Sequence, residues 1–265
     1  MFRYRVSVVS AKGGVGKSSS AAFLAKALAL KHPNQVGLLD ADLHGPSIPK
    51  LLGTQNVKIE FKGEYIKPIT VGGLKVMSLG FFMPERVANL WAGADVHMVK
   101  TADGKEKAIA VSKEQDALWQ CIYTVDWGDL EYFVIDHSPG SGDEWTAVMN
   151  LLKPNGAVVV TTPRMLDTIV IKTISALRLL KVPIIGTVEN FAGFVCPECK
   201  KTYFAGDGGS KVAEEEGLKQ LAKVPQDLEY PKAMEEAMVR VAERIQTFFE
   251  EQEEKMAVRK EEKKA

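Results

Sequence analysis

Lys12, Lys17 and Ser18 stand in the run Ser10-Ala11-Lys12-Gly13-Gly14-Val15-Gly16-Lys17-Ser18-Ser19, directly after the apolar stretch Val6–Val9. Side chains of these types at this spacing hold phosphate. Gly13, Gly14 and Gly16 let backbone N–H groups converge on an anion with no side chain in the way. Lys17 supplies positive charge to the outer phosphates, and Ser18 offers a hydroxyl to Mg²⁺. A helix beginning near Ser18 adds its dipole and free N–H groups. Ala11 replaces the first glycine of the usual GxxxxGK[ST] pattern, and Lys12 is an additional cation at the front of the loop. Two lysines so close repel each other unless both meet abundant negative charge. The reading is a nucleotide-phosphate loop.

Two aspartates end apolar runs and open turn-rich segments. Asp40 begins Asp40-Ala41-Asp42-Leu43-His44-Gly45-Pro46-Ser47, and Asp136 begins Asp136-His137-Ser138-Pro139-Gly140-Ser141-Gly142-Asp143. On parallel strands both carboxylates emerge at the edge that carries a phosphate loop. One carboxylate there holds the hydration shell of Mg²⁺ and another can orient an attacking water. Asp136 is read as the Mg²⁺ partner. Asp42 suits a turn as well as a site, and His137 is expected to face solvent. Further on, Cys196-Pro197-Glu198-Cys199 places two thiols at metal-binding spacing. A structural centre normally takes four ligands, and no second pair exists in the chain. An identical chain across a twofold axis can supply the other two. A dithiol redox pair, half a zinc site and an inert surface pair stay open on spacing alone. Cys121, among apolar neighbours, is read as a core thiol.

The elements that must position these residues show as alternating strand and helix patterns. Tyr4–Val9, Val36–Leu39, Leu74–Leu79, Tyr132–Ile135, Ala157–Val160 and Pro183–Val188 read as buried parallel strands, with Lys219–Val224 a further candidate. Ser18–Leu30 is apolar nearly all round, as a helix covering a sheet should be. Asp143 suits an N-cap for a helix carrying Trp145, Val148, Met149 and Leu152. Another amphipathic helix carries Leu166, Ile169, Val170, Thr173, Ile174 and Leu177, and a last one starts near Pro231. This rhythm predicts an α/β fold: a doubly wound, mainly parallel sheet flanked by helices. Residues 1–250 read as one domain, with small hairpin insertions near 57–69 and 93–115, the second turning at Asp103-Gly104, and a charged, fraying tail at 251–265.

Composition narrows the function. Lysine plus arginine equals aspartate plus glutamate at 34 each, so no net charge draws nucleic acid to the surface. No apolar run approaches the roughly 20 residues that span a bilayer, and the N-terminus enters a strand at once without a secretory leader. Three cysteines, two of them in one short motif, suit a reducing, cytoplasmic setting better than a disulfide framework.

The loop KGGVGKS resembles the deviant phosphate loop of the MinD/ParA group of P-loop NTPases. Together with DADLHGPS, VDWGDLEYFVIDHSPGSGDE, the TTP at Thr161–Pro163 and VENFAGFVCPEC, it resembles the Mrp/ApbC family of iron–sulfur carrier ATPases. The similarity runs from about Arg5 to Tyr230 and is interrupted at 93–115. It implies a homodimer with ATP and Mg²⁺ at its interface, bridged by a 4Fe–4S cluster that is delivered to apo iron–sulfur proteins. By the same resemblance, Lys12 reaches a nucleotide held by the other copy, while Gly13, Gly14, Val15, Gly16, Lys17, Ser18 and Ser19 hold phosphate and Mg²⁺. Asp40 serves the water or metal, Asp136 the Mg²⁺, Asn190 and Pro225 the adenine, and Cys196 and Cys199 the cluster. The chain departs from the family at His137-Ser138, where a small residue and a proline are usual, and at Trp91-Ala92-Gly93-Ala94.

Three rival readings are weaker. A MinD/ParA-like positioning ATPase needs a membrane-seeking tail or a basic face, and Met256 and Val258 are the only large apolar side chains late in the charged tail. A zinc-bridged ATPase dimer without cluster transfer uses the same thiols, and zinc suits two such pairs equally well. A small-molecule kinase leaves Lys12 unexplained.

Overall fold

Valine-rich runs stack side by side because β-branched side chains fit a sheet covered on both faces. The computed structural model describes residues 2–82, 94–100, 106–140, 142–164, 167–226 and 230–262. In chain order it runs β1 (Phe2–Ser10), α1 (Lys17–Lys31), β2 (Val36–Ala41), α2 (Ile48–Leu51), β3 (Glu60–Lys62), β4 (Tyr65–Lys67), β5 (Ile69–Val71) and β6 (Leu74–Ser78). Then follow β7 (Ala94–Lys100), β8 (Glu106–Ser112), α3 (Lys113–Tyr123), β9 (Leu130–His137), α4 (Asp143–Leu152), β10 (Gly156–Thr161) and α5 (Asp167–Leu179). The chain ends with β11 (Ile184–Val195), β12 (Thr202–Phe204), α6 (Gly208–Glu215), β13 (Gln220–Gln226) and α7 (Tyr230–Glu262).

The main sheet has the order β12-β11-β10-β1-β9-β2-β6-β5, with β13 also paired to β11. Its centre is parallel; β5 and β12 run antiparallel at the two ends. Hairpins β3–β4 and β7–β8 stand outside the sheet. The tip of the second hairpin, with Asp103-Gly104, lies outside the described residues, as do Leu166 and Trp91-Ala92-Gly93.

Two apolar layers cover the sheet. On one face Tyr4, Val6, Val8, Leu38 and Val134 meet α1 and α7. On the other, Leu39, Phe133 and Ile135 meet α3 and α4 through Leu118, Cys121, Ile122, Val148 and Leu152. Cys121 is thus a core thiol, and burial pushes it up to about 12.

Three boundaries differ from the sequence reading. β11 continues past the polar pair Glu189-Asn190 to Val195 because its far end pairs with β12. Gly193 permits that approach, since a Cβ there would lie 2.4 Å from the Tyr203 carbonyl oxygen. The N-cap of α4 is Gly142, with Asp143 already the first helical residue. The charged residues 251–262 continue α7 as helix. Tyr4 donates to Glu253 Oε1 at 2.6 Å, and Arg3 donates to both Glu253 oxygens. One turn earlier, Phe249 is buried and stacks on Tyr4 with ring centres 4.3 Å apart.

Apolar stacking rather than the exposed ion pair should therefore secure this helix. Phe249→Ala is expected to lower unfolding free energy by about 3–5 kcal/mol in urea titration, and Glu253→Ala to shift it far less.

Candidate functional site

The phosphate loop spans residues 11–16, between the end of β1 and the start of α1. Gly14 and Gly16 adopt φ of 78° and 84°, a region open to glycine at no steric cost. The Gly16 carbonyl accepts both the Ser20 N–H and the Ser20 hydroxyl at 2.9 Å, which starts the helix without a side-chain cap. Three contacts fix the loop. Ser10 Oγ donates to the Lys12 carbonyl at 3.0 Å, the Gly140 N–H donates to the Ser10 carbonyl at 3.0 Å, and Asn190 Nδ2 donates to the Val15 carbonyl at 2.9 Å. The resulting cleft has a volume of about 640 Å³, within the range of small-molecule sites. Lys12, Gly13, Gly14, Gly16, Lys17, Ser18 and Ser19 all line it, with Lys12 exposed at the mouth.

β9 decides what faces this cleft. Its side chains alternate, so Tyr132, Val134 and Asp136 point to the α1 side, and Phe133, Ile135 and His137 to the α4 side. Asp136 is fully buried, and its Oδ1 accepts Lys17 Nζ at 2.5 Å. Its Oδ2 is buried with no partner among the described residues. Burial pushes this carboxyl up while the Lys17 ammonium pulls against it. A free buried oxygen beside the Ser18 hydroxyl suits a hydrated divalent cation, so the donor set fits Mg²⁺.

Asp40 pairs in register with Asp136 across β2 and β9. Its oxygens are occupied: Oδ2 accepts Ser78 Oγ at 2.9 Å and the Ile48 N–H at 3.2 Å, and Oδ1 accepts the Asp42 N–H at 3.3 Å. Burial, then the neighbouring Asp136, pushes its carboxyl up to about 8. Asp40 thus braces the loop 42–48, whereas Asp42 lines the cleft itself. Asp42 Oδ1 also accepts the Gly45 N–H at 3.1 Å, so its turn role and its place in the cleft coexist. Lys50 and Pro139 line the cleft too, and sequence reading had not singled them out. The Ser138-Pro139 step beside the loop was the available signal for Pro139; nothing in the spacing marked Lys50.

His137 corrects an expectation. It does not face solvent but is fully buried, because strand alternation turns it under α4. Its Nε2 shares a 2.8 Å hydrogen bond with Ser7 Oγ, and its ring lies 6.1 Å from that of Trp145. Burial, helped by the Lys17 charge, pushes it down to about 3.

At the other side of the loop, β11 carries both remaining groups. Asn190 is fully buried and grips the phosphate loop as described. Its register partner on β13 is Val224, which sets Pro225 next to it at the sheet edge. Beyond a backbone irregularity at Phe191 (φ 54°), β11 leads into the thiol hairpin. There the Cys196 N–H donates to the Lys201 carbonyl and the Lys200 N–H to the Cys196 carbonyl, both at 2.9 Å. Cys196 is half-buried and Cys199 exposed. Hydrogen bonds from the backbones of Cys199 and Glu198 hold the Cys196 thiol below its ordinary value, which favours thiolate. Among the described residues no cluster of three or more His, Cys, Asp or Glu could hold a metal ion. No described helix is long and apolar enough to cross a membrane.

Comparison with known proteins gives a consistent picture. Residues 2–260 match the ParA family described as NUBPL iron-transfer P-loop NTPase. The chain is 37% identical over 242 residues to the iron-sulfur cluster carrier protein of Methanocaldococcus jannaschii, covering 89% of this chain and 77% of that one. It is 38% identical over 232 residues to that of Saccharolobus solfataricus, covering 85% and 72%. Among solved structures, a nucleotide-binding protein from Archaeoglobus fulgidus in complex with ADP superposes with a TM-score of 0.71 at 32% identity, covering 90% of this chain and 88% of that one. MinD from Pyrococcus horikoshii, with Mg-ADP, superposes at 0.60 and 18% identity over 92% and 96%, a likeness of fold alone.

The buried His137 has a measurable consequence. The unfolded chain takes up its proton near 6.5, whereas the folded ring refuses it down to about 3. Its depressed value makes it a source of stability at neutral pH that is lost as pH falls below 6.5. Between pH 7 and pH 5 the loss is about 2 kcal/mol. Urea titrations should show that slope in the wild type and a correspondingly shallower one in His137→Gln.

Proposed function

The chain belongs to the ParA family of NUBPL iron-transfer P-loop NTPases, and we propose that it works as a dimeric, ATP-dependent carrier that assembles a 4Fe–4S cluster and passes it to apo-proteins. The observation that carries this reading is a shared strand. Asn190 on β11 holds the phosphate loop through Val15, and the same strand ends at Val195, immediately before Cys196. A change at the nucleotide therefore has a covalent and hydrogen-bonded route to the thiols. The two-ligand donor set supports a cluster bridging two copies, since each provides half of a four-thiolate centre. A cytoplasmic setting, which keeps the free cysteines reduced, fits the same reading.

Lys17 and Ser18 bind the outer phosphates, with Gly13, Gly14, Val15, Gly16 and Ser19 forming the backbone cradle. Arrival of phosphate draws Lys17 away from Asp136, leaving both carboxylate oxygens free for hydrated Mg²⁺. Bound there, Mg²⁺ would neutralise charge on the transferring phosphoryl group. Asp42, lining the cleft, and Asp40, bracing its loop, order the water that attacks. Lys12 stands exposed at the mouth of the cleft. In a closed dimer it reaches the nucleotide of the opposite copy and supplies charge there only after assembly, which makes hydrolysis slow and coupled to dimer closure. Asn190 and Pro225 border the side on which the base would lie.

Lys17→Ala should lose ATP affinity in calorimetric titration, whereas Lys12→Ala should bind ATP yet hydrolyse it poorly. Equal loss of binding in both variants would remove the cross-subunit role of Lys12.

Cys196→Ala or Cys199→Ala should abolish the cluster in anaerobically reconstituted protein, read by absorption and iron analysis, while leaving ATP affinity nearly intact. Cys121→Ala should retain it. Zinc at one ion per dimer, with no iron–sulfur absorption, would replace the carrier with a structural clamp.

A further inference from the structure

A second cavity, of about 690 Å³, opens at the edge of the sheet opposite the phosphate loop. Its walls include Phe2, Ile122, Tyr123, Trp127 and Leu152, and Arg5 of β1 enters it from the α3/α4 face of the sheet. Arg5 and the loop end of β1 are five residues apart, so the two sites are separated by roughly 16 Å.

Charge within this cavity is unbalanced. Lys62 and Asp126 also line it, but they pair with each other at 2.8 Å. Arg5 has no carboxylate partner among the described residues, and its Nε is buried without a hydrogen-bond acceptor. The Arg5 backbone is held at both ends by Asn155, whose Oδ1 accepts the Arg5 N–H at 2.9 Å and whose N–H donates to the Arg5 carbonyl at 2.8 Å. The guanidinium stem therefore starts from a fixed point. A half-buried guanidinium with no carboxylate partner among the described residues is best satisfied by a charged acceptor.

The apolar walls are equally fixed before any ligand arrives. Trp127 Nε1 donates to the Cys121 carbonyl at 3.3 Å, and its ring meets Phe133 edge-on at 5.0 Å. Hairpin β3–β4 is sewn to the rim by Ile66 N–H to the Thr124 carbonyl at 2.7 Å and Asp126 N–H to the Ile66 carbonyl at 2.8 Å. A preformed pocket loses little entropy on binding. Its volume is far beyond what one bridging water fills and lies in the range of small organic ligands.

We propose that this cavity binds one small organic monoanion per chain, with an aromatic body against Tyr123 at the rim and a carboxylate or sulfonate on Arg5. The site is independent of the nucleotide cleft and of the carrier reading. It adds a ligand-sensing surface at the far edge of the sheet, where the ligand would bridge β1, α3, α4 and the β3–β4 hairpin.

The test uses the full chain and two fluorescent probes that differ by one charged group: 1-anilinonaphthalene-8-sulfonate and neutral N-phenyl-1-naphthylamine. The wild type should bind the sulfonate saturably at one per chain, and saturating Mg-ATP should not displace it. Arg5→Gln should weaken the sulfonate about tenfold while changing the neutral probe by less than about twofold. Arg5→Lys, which keeps the charge, should retain most of the sulfonate affinity, and Tyr123→Ala at the rim should weaken both probes. ATP affinity and the urea midpoint, unchanged in each variant, establish that the fold is intact. Absence of saturable binding, displacement by ATP, or equal sulfonate affinity in wild type and Arg5→Gln would overturn the proposal.

Discussion

A buried ammonium and a buried carboxylate 2.5 Å apart, Lys17 and Asp136, set the terms on which the rest of this site can operate. Neither charge could be left alone at that depth, because an unpaired buried ion costs several kcal/mol. In this structure the two charges pair with each other. A triphosphate that recruits Lys17 therefore exposes Asp136 to the same penalty unless a cation replaces the lysine. Removing only one partner is worse than removing both, so on the proposed reading nucleotide and divalent cation would be thermodynamically linked without any change of fold.

The pair exists because of how β9 meets the loop. Strand alternation sends Asp136 toward α1 and the next residue, His137, to the opposite face, where Ser7 receives it. Two adjacent polar side chains at the end of an apolar strand are thus separated into two environments. One is held beside charge in a cleft, and the other is neutral under a helix. Pro139 and Gly140 then turn back onto the phosphate loop, with Gly140 tied to Ser10. The segment 137–140 is therefore tied to β1 at two points, Ser7 and Ser10.

Much of this was legible in the sequence where a local rule governs. The order of strands and helices follows from apolar runs of the right length, and the loop from glycines and lysines at fixed spacing. The longer β11 was not legible, since the polar Glu189-Asn190 interrupts its apolar run. Those two side chains are buried only because Ser210 and Lys223 meet Glu189 and the Val15 carbonyl meets Asn190. These are partners distant in sequence, which no local pattern announces. His137 was legible in principle: counting by two from Phe133 and Ile135 places it on the α4 face. The helical extension 251–262 was hidden because charged composition resembles a frayed end, whereas Tyr4 and Arg3 hold Glu253 from another strand.

The thiol hairpin raises a question of strength that area decides. Phe194, Tyr203 and Phe204 stand 49%, 59% and 65% exposed around Cys196 and Cys199, at the β12 end of the sheet. At about 200 Å² for each whole side chain, these three expose roughly 350 Å² per copy. Two such patches bury about 700 Å², well short of the ~1,200 Å² at which specific association becomes stable. Contact through the hairpin alone would therefore be weak. In the dimer proposed above, the balance would have to come from bonds to a shared cluster and from closure over nucleotide. A carrier assembled in this way holds its cargo while both contributions are present and loosens when either is withdrawn. An exposed Cys199 at the edge of such a marginal interface is then open to an incoming thiolate, as exchange of ligands requires.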